Sequence, residues 1–169
     1  MTIADLLTDS FGRVREVVHD VLGGLTPEQL VFQPGTGSNT IAWLVWHLTR
    51  IQDDHVADAA GIEQVWFSEG FLERFALPFD PAATGFADGP ADVVAVRVAS
   101  GDVLTSYYDA VHEQTIRFVE TLVESDLERI VDESWDPPVS LGVRLVSVIA
   151  DDLQHAGQAA YLRGLVERQ

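Results

Sequence analysis

The sequence contains neither cysteine nor lysine among its 169 residues. Without cysteine, the chain cannot form disulfides, bind a metal through thiolates or supply a thiol nucleophile of its own. Its 10 basic residues, all arginine, stand against 27 acidic ones, which gives a formal net charge of −17. Such a surface repels phosphate backbones and anionic lipid headgroups, so we expect no binding to nucleic acid or to a membrane surface.

Long uncharged apolar runs are missing as well. No stretch approaches the roughly 18 residues that a membrane-spanning helix needs. Four acidic residues interrupt the apolar residues near the start of the chain, which argues against a signal peptide: Asp5, Asp9, Glu16 and Asp20. We therefore expect a cytoplasmic protein. With 47% hydrophobic residues, the chain has enough apolar material for one core, and its length predicts a single domain over residues 1–169.

Apolar residues recur at spacings of three and four in four long segments, which is the period of amphipathic helices. These segments are Ile3–Leu22, Ile41–Ala60, Asp102–Val123 and Leu141–Val166. A short helical turn is expected through Leu30, and one or two short helices within residues 61–100, most clearly at Pro90–Ala99. No segment has the alternation of a strand. The pattern predicts an all-α fold, a four-helix bundle with a long crossover connection between its second and third helices.

The last of these helices carries the best candidate for a chemical site. Asp151 and His155 are four residues apart, so they lie on one face of the helix, one turn above the other. Both interrupt an apolar run in which charged groups are costly without partners. A divalent cation satisfies both groups, and helical bundles often build metal sites from such pairs. An Asp–His ion pair without a metal explains the same spacing equally well.

The second helix offers a third ligand. His47 lies in the almost purely apolar stretch from Trp43 to Leu48, where an ionisable group needs a partner. With Asp151 and His155 it would form a set of two histidines and one carboxylate. Three protein ligands with open positions are typical of a catalytic zinc or another divalent ion. Asp54 and His55 follow on the same helix; we interpret them chiefly as a solvated patch, with a supporting role as the alternative.

Two segments resemble the DinB-like superfamily, which includes maleylpyruvate isomerases that depend on mycothiol and thiol S-transferases that use mycothiol or bacillithiol. The first is Gly37-Ser38-Asn39-Thr40-Ile41-Ala42-Trp43-Leu44-Val45-Trp46-His47-Leu48, similar to the second-helix segment of that family. The second is Asp151-Asp152-Leu153-Gln154-His155-Ala156-Gly157-Gln158, similar to its fourth-helix signature. The helix order and the long middle connection also match. Many members have His or Glu where this chain has Asp151, which is a shorter arm.

The resemblance implies a metal triad of His47, Asp151 and His155, with zinc or nickel as the expected ion. In the family, the metal activates the sulfur of a low-molecular-weight thiol for group transfer or isomerisation. This fits a chain without cysteine, because the thiolate arrives with the cosubstrate. The expected partners are thus a small-molecule thiol and an electrophile. Arg50 and Gln158 are candidates for catalytic residues that contact substrate or support the metal site; a surface ion pair with Asp53 or Asp54 is the alternative for Arg50.

Two other functions remain open from the sequence. The first is a metal-dependent hydrolase that uses the same three ligands and a metal-bound water, with Asp152 or Asp54 as general base. The second is a non-catalytic, stress-related bundle whose metal serves stability alone. Because aromatic faces on a helical bundle favour association of two copies, we also predict a homodimer.

Overall fold

The computed structural model describes residues 1–168 and confirms the all-α bundle. Its four long helices are α1 (Ile3–Leu22), α3 (Ile41–Ala60), α7 (Gly101–Val119) and α8 (Leu141–Val166), and α2 (Pro27–Leu30) is the expected short turn. Three of the four long helices have the predicted bounds. The third, α7, ends four residues earlier than predicted, because Leu122 leaves the helix and is buried at the end of the bundle.

Threonine and serine side chains determine where the long helices begin. Thr2, Thr40 and Ser140 each accept a hydrogen bond from a backbone N–H in the first turn of the helix that follows. Such caps satisfy amides that have no partner within the helix. At the other end of α3, Gly61 adopts a left-handed conformation with φ of 68° and terminates the helix.

The helices pack in the cyclic order α1–α7–α3–α8, so α1 and α3 occupy opposite corners of the bundle. His47 and His55 of α3 face His155 and Arg144 of α8, respectively, which makes these two helices antiparallel. Arg163 near the end of α8 donates to Val21 near the end of α1, so these two are parallel. The start of α7 meets the end of α1, because a Cβ at Gly101 would lie 3.3 Å from the carbonyl oxygen of Leu22, so these two are antiparallel. In chain order the long helices run up, down, down and up, and the chain must return along the whole bundle between α3 and α7, as a crossover requires.

This crossover contains three short helices, α4 (Val65–Ser68), α5 (Phe71–Phe75) and α6 (Pro90–Ala95). Between α5 and α6, residues 76–89 run along α3 without regular structure. Asp53 of α3 accepts hydrogen bonds from the backbone N–H groups of Val65 and Trp66, at 2.9 and 2.8 Å, and so fixes the start of α4. The crossover is thereby held against the helix that carries His47.

A small antiparallel sheet precedes α8, where no strand was predicted. Its strands are β1 (Ile130–Asp132) and β2 (Val139–Ser140), and a 3-10 turn (Glu124–Glu128) comes before them. The prediction failed because strands of three and two residues are too short to show an alternating pattern. The hairpin places Asp132 next to Arg144 of α8, with Asp132 Oδ2 at 2.6 Å from Arg144 Nη2.

Buried side chains form two apolar clusters along the bundle axis. The larger contains the first half of α3, the crossover and the last turns of α8, and the smaller lies at the end where the chain starts. Among the residues described, no helix is both long and apolar enough to cross a bilayer.

Candidate metal centre

His47 is packed into the bundle by the first two turns of α3. These turns are almost completely buried, and His47 itself is 5% exposed. Its imidazole stacks on the indole of Trp43, one turn earlier, with ring centroids 4.6 Å apart and planes at 9°. Trp43 is held in turn by a hydrogen bond from its Nε1 to Asp88 Oδ2 at 2.9 Å. The ring of His47 therefore has little freedom to rotate.

Asp151 and His155 face His47 from α8. The rings of His47 and His155 meet edge to face with centroids 4.7 Å apart, and His47 Nε2 lies 3.9 Å from Asp151 Oδ2. One potential ligand atom from each of the three side chains lies within 4.8 Å of the other two. The structure thus brings together the three residues that the sequence predicted as a set, from two antiparallel helices.

Backbone carbonyls determine which imidazole nitrogen is free on each histidine. His47 Nδ1 donates to the carbonyl oxygen of Thr84 at 2.6 Å, and His155 Nδ1 donates to the carbonyl oxygen of Asp151 at 2.9 Å. Since a carbonyl can only accept, both Nδ1 atoms carry the hydrogen, and both Nε2 atoms present a lone pair when the rings are neutral. Histidines that bind metals show the same pattern.

The two histidines differ in how readily they take up a proton. Burial lowers the pKa of His47, and the proximity of His155 adds to this effect, so its ring is neutral at pH 7. Burial also acts to lower the pKa of His155, but the neighbouring Asp151 outweighs it and raises that pKa. Without a cation, a proton on His155 partly neutralises the negative charge of the Asp151 carboxylate.

Asp151 Oδ2 is the feature that fits a bound cation most directly. This atom is buried and has no well-aligned hydrogen-bond donor, although His155 Nδ1 is 3.2 Å away. An unpaired carboxylate oxygen in the interior is costly. A divalent ion that accepts this oxygen and two imidazole nitrogens would remove the cost, and the donor set suits zinc or another ion of similar preference.

Gly85 allows the crossover to pass directly over His47. A Cβ atom at this position would lie 2.6 Å from His47 Nδ1 and 3.0 Å from Trp46, and the backbone has φ of 87°. Both facts require glycine. Thr84 and Gly85 are therefore part of the centre, and sequence reasoning missed them: the glycine could have been a signal, but nothing local indicates which helix the connection crosses.

Arg50 does not lie on the surface beside the triad. Its side chain is fully buried, with Nε donating to the carbonyl oxygen of Ala83 and Nη1 to Gln64 Oε1 and Tyr107 Oη. The predicted pairing with Asp53 exists at 3.6 Å, but inside the protein rather than at its surface. Its Nη2 has no hydrogen-bond partner among the described residues, but it is buried, so the guanidinium presents no nitrogen to the surface.

The remaining candidates are dispersed around α3 and α8. Gln158, three residues after His155, is exposed and lines a shallow cleft with Asn39 and Tyr161. Asp152 points into the bundle, where it is fully buried with both oxygens unpaired, and burial raises its pKa far above the ordinary value. Asp54 is half-buried beside His55 and accepts a hydrogen bond from Gln64.

A cleft of about 440 Å³ lies next to the triad, toward the hairpin. Thr84 and Phe86, which flank Gly85, line it together with His55, Arg144 and Trp135. Phe86 and Trp135 expose 85% and 66% of their surfaces. Burial, together with the charge of Arg144, lowers the pKa of His55, so this ring is neutral at pH 7. The cleft offers aromatic and polar surface, and its lining residue Thr84 connects it to His47.

Comparison with protein families shows to which family this helical bundle belongs. The model of the mycothiol S-transferase family matches residues 6–168. The chain belongs to this family. The expected resemblance to the DinB-like superfamily is thereby confirmed.

Solved structures agree with this family assignment. A conserved protein from Enterococcus faecalis superposes with a TM-score of 0.92 and 29% sequence identity, covering 100% of this chain and 99% of the other. No curated protein matches the sequence significantly. This member of the mycothiol S-transferase family thus shares its fold with a solved structure over its full length. Two of its helices carry the three candidate ligands.

Proposed function

We propose that this protein is a metal-dependent thiol S-transferase, in which His47, Asp151 and His155 hold a divalent ion. The observation that carries the proposal is the buried, unpaired Asp151 Oδ2 beside two imidazoles whose Nδ1 atoms are already engaged. The family supports a thiol as substrate. Zinc and nickel both suit the donor set.

The ion would supply one kind of chemistry: coordination lowers the pKa of a bound thiol, so that the sulfur is a thiolate at neutral pH. The chain has no cysteine, so the thiol must come from a small molecule such as mycothiol. A carboxylate near the sulfur would oppose loss of the thiol proton, so the divalent ion would have to outweigh the single negative charge of Asp151. His47 and His155 contribute neutral nitrogens, which leaves a net positive centre for the sulfur.

The cleft that Phe86 and Trp135 border is the proposed place for the electrophile and for the part of the thiol beyond its sulfur. Its exposed aromatic side chains can stack on a substrate, and Thr84, whose carbonyl oxygen accepts from His47, is among its lining residues. An isomerase of the same family would use the same centre, with the thiol added and then released. We further propose a cytoplasmic location, where low-molecular-weight thiols are kept reduced.

Metal content per chain, measured by elemental mass spectrometry on untagged protein, is the first test. We expect about one equivalent of zinc or nickel in the wild type, none in His155→Ala, and the wild-type amount in the control His112→Gln, whose histidine lies on α7 away from the triad. Absence of metal in the wild type after reconstitution would refute the metal site.

The reaction is then tested with mycothiol and a thiol-reactive electrophile such as monochlorobimane. Transfer that depends on both metal and thiol supports the proposal. Ester or amide hydrolysis without any thiol would instead indicate the hydrolase alternative. A metal that only raises the unfolding temperature, with no response to thiol, would indicate the structural alternative.

A further inference from the structure

Arg50 and His47 contact the crossover at adjacent peptide groups. Arg50 Nε donates to the carbonyl oxygen of Ala83 at 3.1 Å, and His47 Nδ1 donates to the carbonyl oxygen of Thr84 at 2.6 Å. Both side chains leave α3, three residues apart and so on neighbouring positions of one face. Consecutive carbonyls of the crossover are therefore bound by two side chains of one helix.

The guanidinium of Arg50 is itself held firmly. Its Nη1 donates to Gln64 Oε1 at 2.8 Å and to Tyr107 Oη at 3.2 Å, and its carbon lies 5.0 Å from the centre of the Trp66 ring. The carboxylate of Asp53 is 3.6 Å away and supplies the opposite charge. These partners hold Nε and Nη1, while the buried Nη2 has none, so the guanidinium restrains the carbonyl that its Nε binds.

The segment that Arg50 binds requires such support. Gly85 and Ala87 both have positive φ values, 87° and 64°, and such a conformation in a non-glycine residue persists only when the surroundings impose it. Trp66 Nε1 provides a second support, because it donates to the carbonyl oxygen of Pro81 at 3.1 Å. Residues 81–84 are thus attached to the bundle at Pro81, Ala83 and Thr84.

We propose that Arg50 is a positioning residue for His47. By fixing the carbonyl of Ala83, it orients the next peptide so that the Thr84 carbonyl accepts from Nδ1 of His47. This bond selects one tautomer and leaves Nε2 directed toward Asp151. The inference rests on the proposed function only in taking His47 as a metal ligand. Arg50 itself touches neither the ion nor a substrate.

The test uses Arg50→Lys and Trp66→Phe in the full chain. A lysine keeps a positive charge near Asp53 but loses the fork that reaches Ala83, whereas phenylalanine keeps a smaller aromatic ring beside Arg50 and loses the hydrogen bond to Pro81. Gln52→Leu is the control: Gln52 is buried on the same helix and bonds Thr115 at 2.8 Å, on the side of α7. All three variants remove buried hydrogen bonds, but only the first two loosen residues 81–84.

Two quantities are measured for each protein. The first is the ¹⁵N chemical shifts of the His47 ring in the metal-free protein, which report its tautomer. The second is the affinity for zinc, by competition with a chromophoric chelator. We expect Arg50→Lys to shift His47 toward a mixture of tautomers and to weaken zinc binding about tenfold, the lower end of the effect of lost outer hydrogen bonds. Trp66→Phe should change the tautomer and the zinc affinity in the same direction but by less. Gln52→Leu should change neither quantity.

The inference is overturned if Arg50→Lys keeps the wild-type tautomer and a zinc affinity within twofold of the wild type. It is also overturned if Gln52→Leu weakens zinc binding as much as Arg50→Lys does, because the effect would then follow general stability. Failure of the proposed function has a different signature. If the wild type binds no zinc or transfers no thiol, the tautomer of His47 in the metal-free variants still decides the role of Arg50.

Discussion

Replacement of Gly85 by alanine should damage the proposed metal centre from outside the triad. The new Cβ would lie 2.6 Å from His47 Nδ1, closer than carbon and nitrogen approach without a bond between them. His47 has little room to move, because its ring is stacked on Trp43. The crossover must therefore move away, and the hydrogen bond from His47 to Thr84 must lengthen or break.

Two energies add up in this variant. A side chain in the left-handed conformation costs about 1–2 kcal/mol, and overpacking of a filled interior costs about 1–3 kcal/mol. The free energy of unfolding should thus fall by about 2–5 kcal/mol, which lowers the melting temperature by about 2–4 °C for each kcal/mol in a protein of this size. Loss of the bond between Thr84 and His47 should weaken zinc binding by about 10–100-fold.

Gly61→Ala is the matched control. Gly61 also has positive φ, 68°, but a Cβ there would meet no heavy atom within 4 Å. This variant should lose only the backbone contribution of about 1–2 kcal/mol and bind zinc as the wild type does. Urea unfolding and a zinc competition titration on both variants separate the two contributions. Equal stability losses, with zinc affinity unchanged in Gly85→Ala, would refute the close contact between crossover and ligand.

Three further outcomes are expected. Asp151→Asn should keep the fold but bind zinc much more weakly than the wild type. The loss should exceed the about 10–100-fold that is typical when a residue hydrogen-bonded to a metal ligand is replaced. Zinc binding as tight as in the wild type would exclude this carboxylate as a ligand. The pKa of Asp109 is lowered because hydrogen bonds from His19 and Arg15, at 2.7 and 2.8 Å, outweigh the effect of burial. The stability that Asp109 contributes is therefore present above the unfolded pKa of about 3.9 and is lost as the pH falls through the lower folded value. In urea unfolding, the stability of Asp109→Asn should approach that of the wild type only in acid. A constant difference in stability down to pH 2 would contradict this. The homodimer stays a prediction: sedimentation should find twice the chain mass, and a single species near 18.5 kDa would exclude it.

Much of the bundle could be predicted because its signals are local. The caps Thr2, Thr40 and Ser140 and the terminating Gly61 lie within a few residues of the helix ends that they determine. The strands of the hairpin were missed, since strands of two and three residues are too short to show an alternating pattern. The end of α7 was missed as well, because it depends on the burial of Leu122. The short helices α4 and α5 likewise form where the crossover packs against α3.

The sequence by itself predicted the four long helices and the three candidate ligands. Periodicity and spacing place Asp151 and His155 on one face of α8, and the apolar surroundings of His47 already indicate that its ring needs a partner. The lack of cysteine means that any thiol chemistry needs an external thiol. These properties are local or compositional, so no knowledge of the packing is needed to read them.

Only the tertiary structure decided how the crossover completes the centre. That Thr84 orients His47, that Gly85 leaves room for its ring, and that Arg50 lies inside rather than at the surface all depend on which helix residues 76–89 cover. Such contacts join residues more than 30 positions apart in the sequence. Their positions follow from the packing of the whole bundle, because no local preference for helix or turn contains them.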